Sequence, residues 1–215
     1  MLVKVKSIAL NGIDTIEIDV EVNISTRGLP YFDIVGLPDK SVDESKHRVK
    51  TAFQNLEINF PDKRITVNLA PADIHKEGSF YDLPIATGIL CASFGVQLPP
   101  KSLVFGEVSL DGTIRHTKGA LLLAIYAKEK GYKNVFLPCD CVKEASAIKG
   151  INIFGVKNIE HLLKHLSGVE EIQKNKIPYS SDQKKEKDLD IDFKDVIGQH
   201  QVKRALQICA SGGHN

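Results

Sequence analysis

The chain has 215 residues, 42% hydrophobic and 26% charged, with 28 basic and 27 acidic side chains and a net charge of +1. That balance excludes a polybasic protein whose affinity comes from bulk charge, and the length suffices for a core without disulfides or metals. No apolar run approaches the ~18 residues of a membrane span, the first ten residues lack the apolar stretch of a signal peptide, and Cys91, Cys139, Cys141 and Cys209 form no CxxC pair, so a cytoplasmic protein with reduced thiols is expected.

In chain order, residues 13–24 (IDTIEIDVEVNI) alternate cleanly. Ile16, Ile18, Val20 and Val22 share one face, with Glu17, Asp19 and Glu21 opposite, the pattern of a half-buried strand. Tyr31–Val35 reads as a short strand ended by a Gly-Leu-Pro turn. One helix should follow, capped either by Ser41, which has capping-box spacing to Glu44, or by Asp39. Its apolar stripe is Val42, Val49, Phe53 and Leu56, with Lys46, Arg48 and Lys50 mostly off it. Arg64–Leu69 is a buried strand, and Leu83–Phe94 is apolar on all sides, as a central helix would be. Leu103–Leu110 with Asp111–Gly112 predicts a hairpin into Ile114. Helices follow at Gly119–Lys130 and near Val142–Ala147, strands at Asn134–Leu137 and Ile151–Val156, and a last helix at Asn158–Leu166. A strand meander followed by βα alternation gives an α/β or α+β class.

Residues 169–190 change character. Half are charged, both signs are mixed and the apolar side chains stand alone. Such a stretch cannot bury enough to order itself, so it reads as a charged, flexible, disordered linker after a domain of residues 1–168. Residues 191–215 regain a pattern but are too few for a domain, and read as the truncated start of one.

Three blocks carry a resemblance: VGLPDKSVDESKHRVKTAF, ITVNLAPADIHKEGSFYDLPIATGIL and GEVSLDGTIRHTKGALLLA. They resemble the N-terminal domain of the ComM/YifB family, magnesium-chelatase-like AAA+ ATPases, and the likeness covers essentially the whole chain. DVIGQHQVKRALQICASGGHN resembles the opening of that family's ATPase module. The resemblance implies a Lon-protease-like domain, similar also to the C-terminal domain of RadA. It further implies a hexameric, ATP- and magnesium-dependent parent that acts on branched or single-stranded DNA in recombination or natural transformation.

Lon-type proteases use a serine nucleophile and a lysine of depressed pKa. Matched residue by residue, the serine position falls on Phe80, within KEGSFYDLPIA, and the lysine position on Leu121. Neither side chain can do the chemistry. The remaining peptidase reading is a shifted dyad of Ser79 and Lys118, against a helix-entry serine and a solvated lysine. No GxxxxGK[ST] loop occurs. The chain is therefore expected to bind no cofactor and to hydrolyse no ATP. Val196, Ile197 and Gly198 match the family segment that lies near adenine in the complete protein.

Weaker signals remain. Cys139 and Cys141 lack the further ligands of a zinc site. His161 and His165 share a helix face, and solvated histidines are the plainer reading. Asp73, Glu77 and Asp82 suggest magnesium, but Asp82 suits a helix N-terminus, where a carboxylate caps free amides. No metal site is expected. Lys46, Arg48 and Lys50, with Lys63 and Arg64, form candidate phosphate contacts, against an ordinary solvated face. Two function classes follow: a non-catalytic scaffold that contacts DNA, or an oligomerisation or adaptor module that does not.

Overall fold

β1 (Leu2–Asn11) and β2 (Asp14–Ser25) form a long antiparallel pair in which Val5 faces Val20 and Val3 faces Val22. Because side chains alternate along a strand, Ile16, Ile18, Val20, Val22 and Ile24 enter one apolar cluster together. The opposite face of the pair carries ion pairs: Lys4 with Glu21 at 2.7 Å, and Lys6 with Glu17 at 2.6 Å and Asp19 at 2.5 Å. β1 has no counterpart among the predicted elements. Its alternation covers only Val3 to Lys6 before Ser7, a buried polar residue, interrupts it.

The computed structural model describes residues 1–11, 14–174 and 193–213. The chain divides into two units, Met1–Tyr179 and Ser180–Asn215. In the first, β3 (Tyr31–Val35) precedes α1 (Lys40–Asp43) and α2 (Ser45–Asn55). The single predicted helix is thus two, broken at Glu44. Asp39, not Ser41, supplies the cap: its carboxylate accepts the Val42 N–H at 2.6 Å. β4 (Arg64–Ala70) leads through a loop to α3 (Asp82–Phe94), whose first ten residues are all buried.

β5 (Ser102–Val104) joins the main sheet, whereas β6 (Glu107–Val108) and β7 (Ile114–Arg115) make a separate small hairpin. The predicted strand over 103–110 is therefore split at Phe105–Gly106. α4 (Ala120–Glu129), β8 (Asn134–Pro138), α5 (Val142–Ala145), β9 (Asn152–Val156) and α6 (Ile159–Leu166) complete the unit. Asn158 caps α6 by accepting the His161 N–H at 2.7 Å.

Among the described residues the main sheet has seven strands in the order β3-β4-β2-β1-β5-β8-β9. The β1–β2 and β2–β4 pairs are antiparallel and the other four are parallel. This is a mixed α/β fold with a mostly parallel sheet. α2, α3 and α6 pack with one apolar cluster, and α4 and α5 with a second. α3 lies so close to the sheet that a Cβ on Gly88 would sit 2.4 Å from Val22 Cγ2. Only a residue without a side chain fits there.

The domain extends further than its composition suggests. Residues 169–174, placed in the linker by charge, fold back on the body: Ile172 is 4% exposed, and Lys174 bridges Phe154 on β9. The strap is held by this apolar side chain, by the bridge to Phe154 and by the Val169 and Glu170 N–H groups, which donate to Lys164 O. Residues 175–190 of the predicted linker lie outside the described residues. In the second unit a single turn at Phe193–Asp195 precedes α7 (His200–Gly212), where the patterned segment predicts a helix. No described helix is long and apolar enough to cross a membrane.

Candidate functional site at the N-terminus of α3

The loop between β4 and α3 is fastened to the Gly-Leu-Pro turn after β3. Gly36 has φ 101°, and a Cβ there would lie 2.3 Å from the Leu69 carbonyl oxygen, so the turn needs glycine twice over. The Lys76 N–H donates to Leu37 O at 3.1 Å, and the Asp39 N–H to Lys76 O at 2.9 Å. The Lys76 side chain is fully buried and its ammonium donates to the Pro71 carbonyl. Burial pushes its pKa down, with Asp73 opposing.

After Gly78 the chain makes a single turn, Ser79–Tyr81, and enters α3. Phe80, at the protease serine position, is half-buried. Its ring stacks on Phe105 at 4.7 Å and 25° and meets Tyr81 at 4.6 Å. Phe80 packs against both apolar clusters. Its carbonyl accepts the Gly106 N–H at 3.0 Å, and the Leu83 N–H donates to Gly106 O at 2.9 Å. Phe80 thus joins two halves of the core. Leu121 lies in the first turn of α4, its N–H bound by Glu144 at 2.9 Å.

Ser79 and Lys118 are not brought together. The Ser79 hydroxyl donates to the Glu107 carboxylate, whereas Lys118 is exposed, and no hydrogen bond joins the two among the described residues. A Ser–Lys dyad needs direct contact and a desolvated lysine. The buried lysine of this region is Lys76. The sequence signal for it was a lysine three residues before Ser79 in the same block.

Asp82 does not cap its own helix. Its fully buried carboxylate takes Arg48 Nε at 2.7 Å, a second guanidinium nitrogen at 2.9 Å and the Val108 N–H at 3.1 Å. Burial pushes the Asp82 carboxyl up, opposed by Arg48 and the Val108 N–H, while Asp82 holds the guanidinium more firmly charged. Three donors converging on two oxygens suit the ionised carboxylate. Arg48 therefore ties α2 to α3 and β6, and leaves the candidate phosphate patch.

The other patch residues divide. Lys46 pairs with Asp43 at 2.7 Å. Lys50, Lys63 and Arg64 are exposed and have no ion-pair partner among the described residues. Asp73 and Glu77 are exposed, and among the described residues no three His, Cys, Asp or Glu side chains are placed to hold a metal. Cys141 is buried, its sulfur between the Thr117 N–H and carbonyl, and burial pushes its thiol up.

His161 and His165 are half-buried rather than solvated. The Nδ1 of each accepts a backbone N–H, from Lys157 at 3.4 Å and from Ile172 at 3.1 Å. Val196, Ile197 and Gly198 precede α7, with Ile197 96% exposed.

The structure is a mixed α/β fold with a mostly parallel sheet, and it bears a weak likeness to Lon proteases. The family model for subunit ChlI of magnesium chelatase matches residues 20–140. The chain is 37% identical to the competence protein ComM of Haemophilus influenzae, over 98% of this chain and 42% of that protein. It is 39% identical to the protein YifB of Escherichia coli, over 95% of this chain and 40% of that protein. Lon protease 2 of Bacillus subtilis is 25% identical over 73% of this chain and 31% of its own length. The chain belongs to the ComM/YifB family of magnesium-chelatase-like proteins. It spans about two-fifths of the length of these two family relatives.

Proposed function

We propose that residues 1–174 form a non-proteolytic scaffold in a ComM/YifB-type AAA+ protein that remodels branched DNA in recombination or natural transformation. ATP and magnesium act in a module that carries a P-loop, and the working assembly is a cytoplasmic hexamer. The Lon-like frame, with its likeness to the C-terminal domain of RadA, serves ring assembly and contact with DNA. Phe80 carries the non-proteolytic part of this reading: its ring occupies the nucleophile position and is stacked on Phe105. The exposed cations Lys50, Lys63 and Arg64 support DNA contact, because unpaired surface cations bind phosphates without reading sequence.

The test is ATP turnover and DNA binding by the 215-residue chain. We expect no ATP hydrolysis, and DNA binding that weakens steeply with salt and is lost on Lys63→Glu with Arg64→Glu. ATP turnover without a P-loop overturns the first part. Absence of DNA binding at low salt overturns the second and leaves an oligomerisation or adaptor module.

A further inference from the structure

Among the described residues β3 is an outer strand of the main sheet, paired with β4. Between it, α2 and the 60–63 loop lies a hollow of about 430 Å³, lined by Tyr31, Phe32, Phe60, Lys50, Lys63 and the acidic Asp62, among others. This volume falls within the ~300–1,000 Å³ usual for ligand pockets. Its phenylalanines are held in place. Phe60 lies 5.8 Å from Phe32 and meets Phe53 edge-on at 5.4 Å, and Tyr31 at the rim is 56% exposed.

The backbone places two further cations near this rim. Arg64 stands opposite Tyr31 in the β3–β4 register and opposite Ser25 in the β2–β4 register. The backbone of Arg27 donates to Ser25 Oγ at 3.1 Å, and a Cβ added to Gly28 would lie 4.0 Å from Arg64 Cδ. Arg27, Lys50, Lys63 and Arg64 are all exposed, with no ion-pair partner among the described residues. Asp62 offsets one of these four charges, so the rim remains cationic.

We propose that this hollow binds single-stranded nucleic acid, with a base on the rings of Tyr31 and Phe60 and the flanking phosphates on Lys50, Lys63, Arg64 and Arg27. Cations alone would hold a duplex equally well. The aromatic faces select unpaired bases, because a base within a duplex presents no free ring to stack. The inference rests on the DNA-contact reading and narrows it to one strand type and one edge of the sheet.

The test is fluorescence anisotropy with a labelled oligothymidine and with a duplex of equal length, on the whole chain, across a salt series. The expected result is tighter binding of the single strand, weakened on the order of tenfold by Tyr31→Ala. The salt slope for the single strand should fall by about 0.7 for each of Lys50→Gln and Lys63→Gln. Lys128→Gln, on α4, should leave binding unchanged. Circular dichroism of the Tyr31→Ala chain separates lost binding from lost folding, and Tyr31→Phe should bind as the parent does. If the duplex binds as well as the single strand and Tyr31→Ala changes nothing, this inference is overturned while DNA contact stands. If neither probe binds at low salt, both fail.

Discussion

The Arg48 guanidinium grips the buried carboxylate of Asp82 through two hydrogen bonds, at 2.7 and 2.9 Å, across 34 positions of sequence. The pair fixes the start of α3 against α2, and the Val108 N–H adds the β6 hairpin to the same carboxylate. The entrance to the Lon-like loop is therefore held by a buried ion pair.

Removing one partner should be costly, because the other is left buried and unpaired. Arg48→Met should destabilise the chain by about 3–5 kcal/mol, read from urea denaturation midpoints. Arg48→Met combined with Asp82→Leu should recover much of that loss. A negligible effect of the single substitution would show that the pair carries no structural weight.

Phe80 is a packing residue here, so Phe80→Ala should cost about 2–3 kcal/mol, below the ~3–5 typical of a fully buried phenylalanine. Phe80→Ser should not create a peptidase, because Leu121 offers no base. Stability and casein hydrolysis of the two variants check this, and turnover in Phe80→Ser would refute it.

At Gly88, alanine favours a helix by about 1 kcal/mol over glycine. The added Cβ would nevertheless meet Val22 Cγ2 at 2.4 Å, and overpacking of this kind costs about 1–3 kcal/mol. Gly88→Ala should therefore destabilise, and Val22→Ala in the same chain should relieve it. A double-mutant cycle measures the coupling.

His165 links stability to pH. Burial lowers its pKa, His161 adds to the shift and Glu171 opposes it. Its Nδ1 must stay unprotonated to accept the Ile172 N–H. The unfolded chain takes up the proton near the ordinary value of about 6.5, and the folded chain only at lower pH. Stability from this group is complete above about 6.5 and is lost as pH falls toward the lowered folded value. The protection factor of the Ile172 amide should fall over that window as pH is lowered, and His165→Gln should flatten the pH dependence of stability. An Ile172 protection factor that stays constant between neutral and acidic pH would contradict this link.

Where local pattern decides structure, the elements were legible. β2 follows from strict alternation and α3 from a run that is apolar on all sides. The Glu44 break was not, because capping-box spacing and the Asp39 cap compete within a few residues. Arg48 read as a free cation because its neighbours in sequence do not reveal a partner on α3. The half-buried state of His161 and His165 depends on a strap that composition assigned to the linker. Phe80 and Leu121 were legible only through the likeness to Lon, since neither residue type marks a site by itself.

The proposed lack of peptidase chemistry is tested by hydrolysis of an unfolded protein substrate by the chain and by its Ser79→Ala and Lys118→Ala variants. No turnover is expected in any of the three. Cleavage by the parent that disappears in both variants would contradict it.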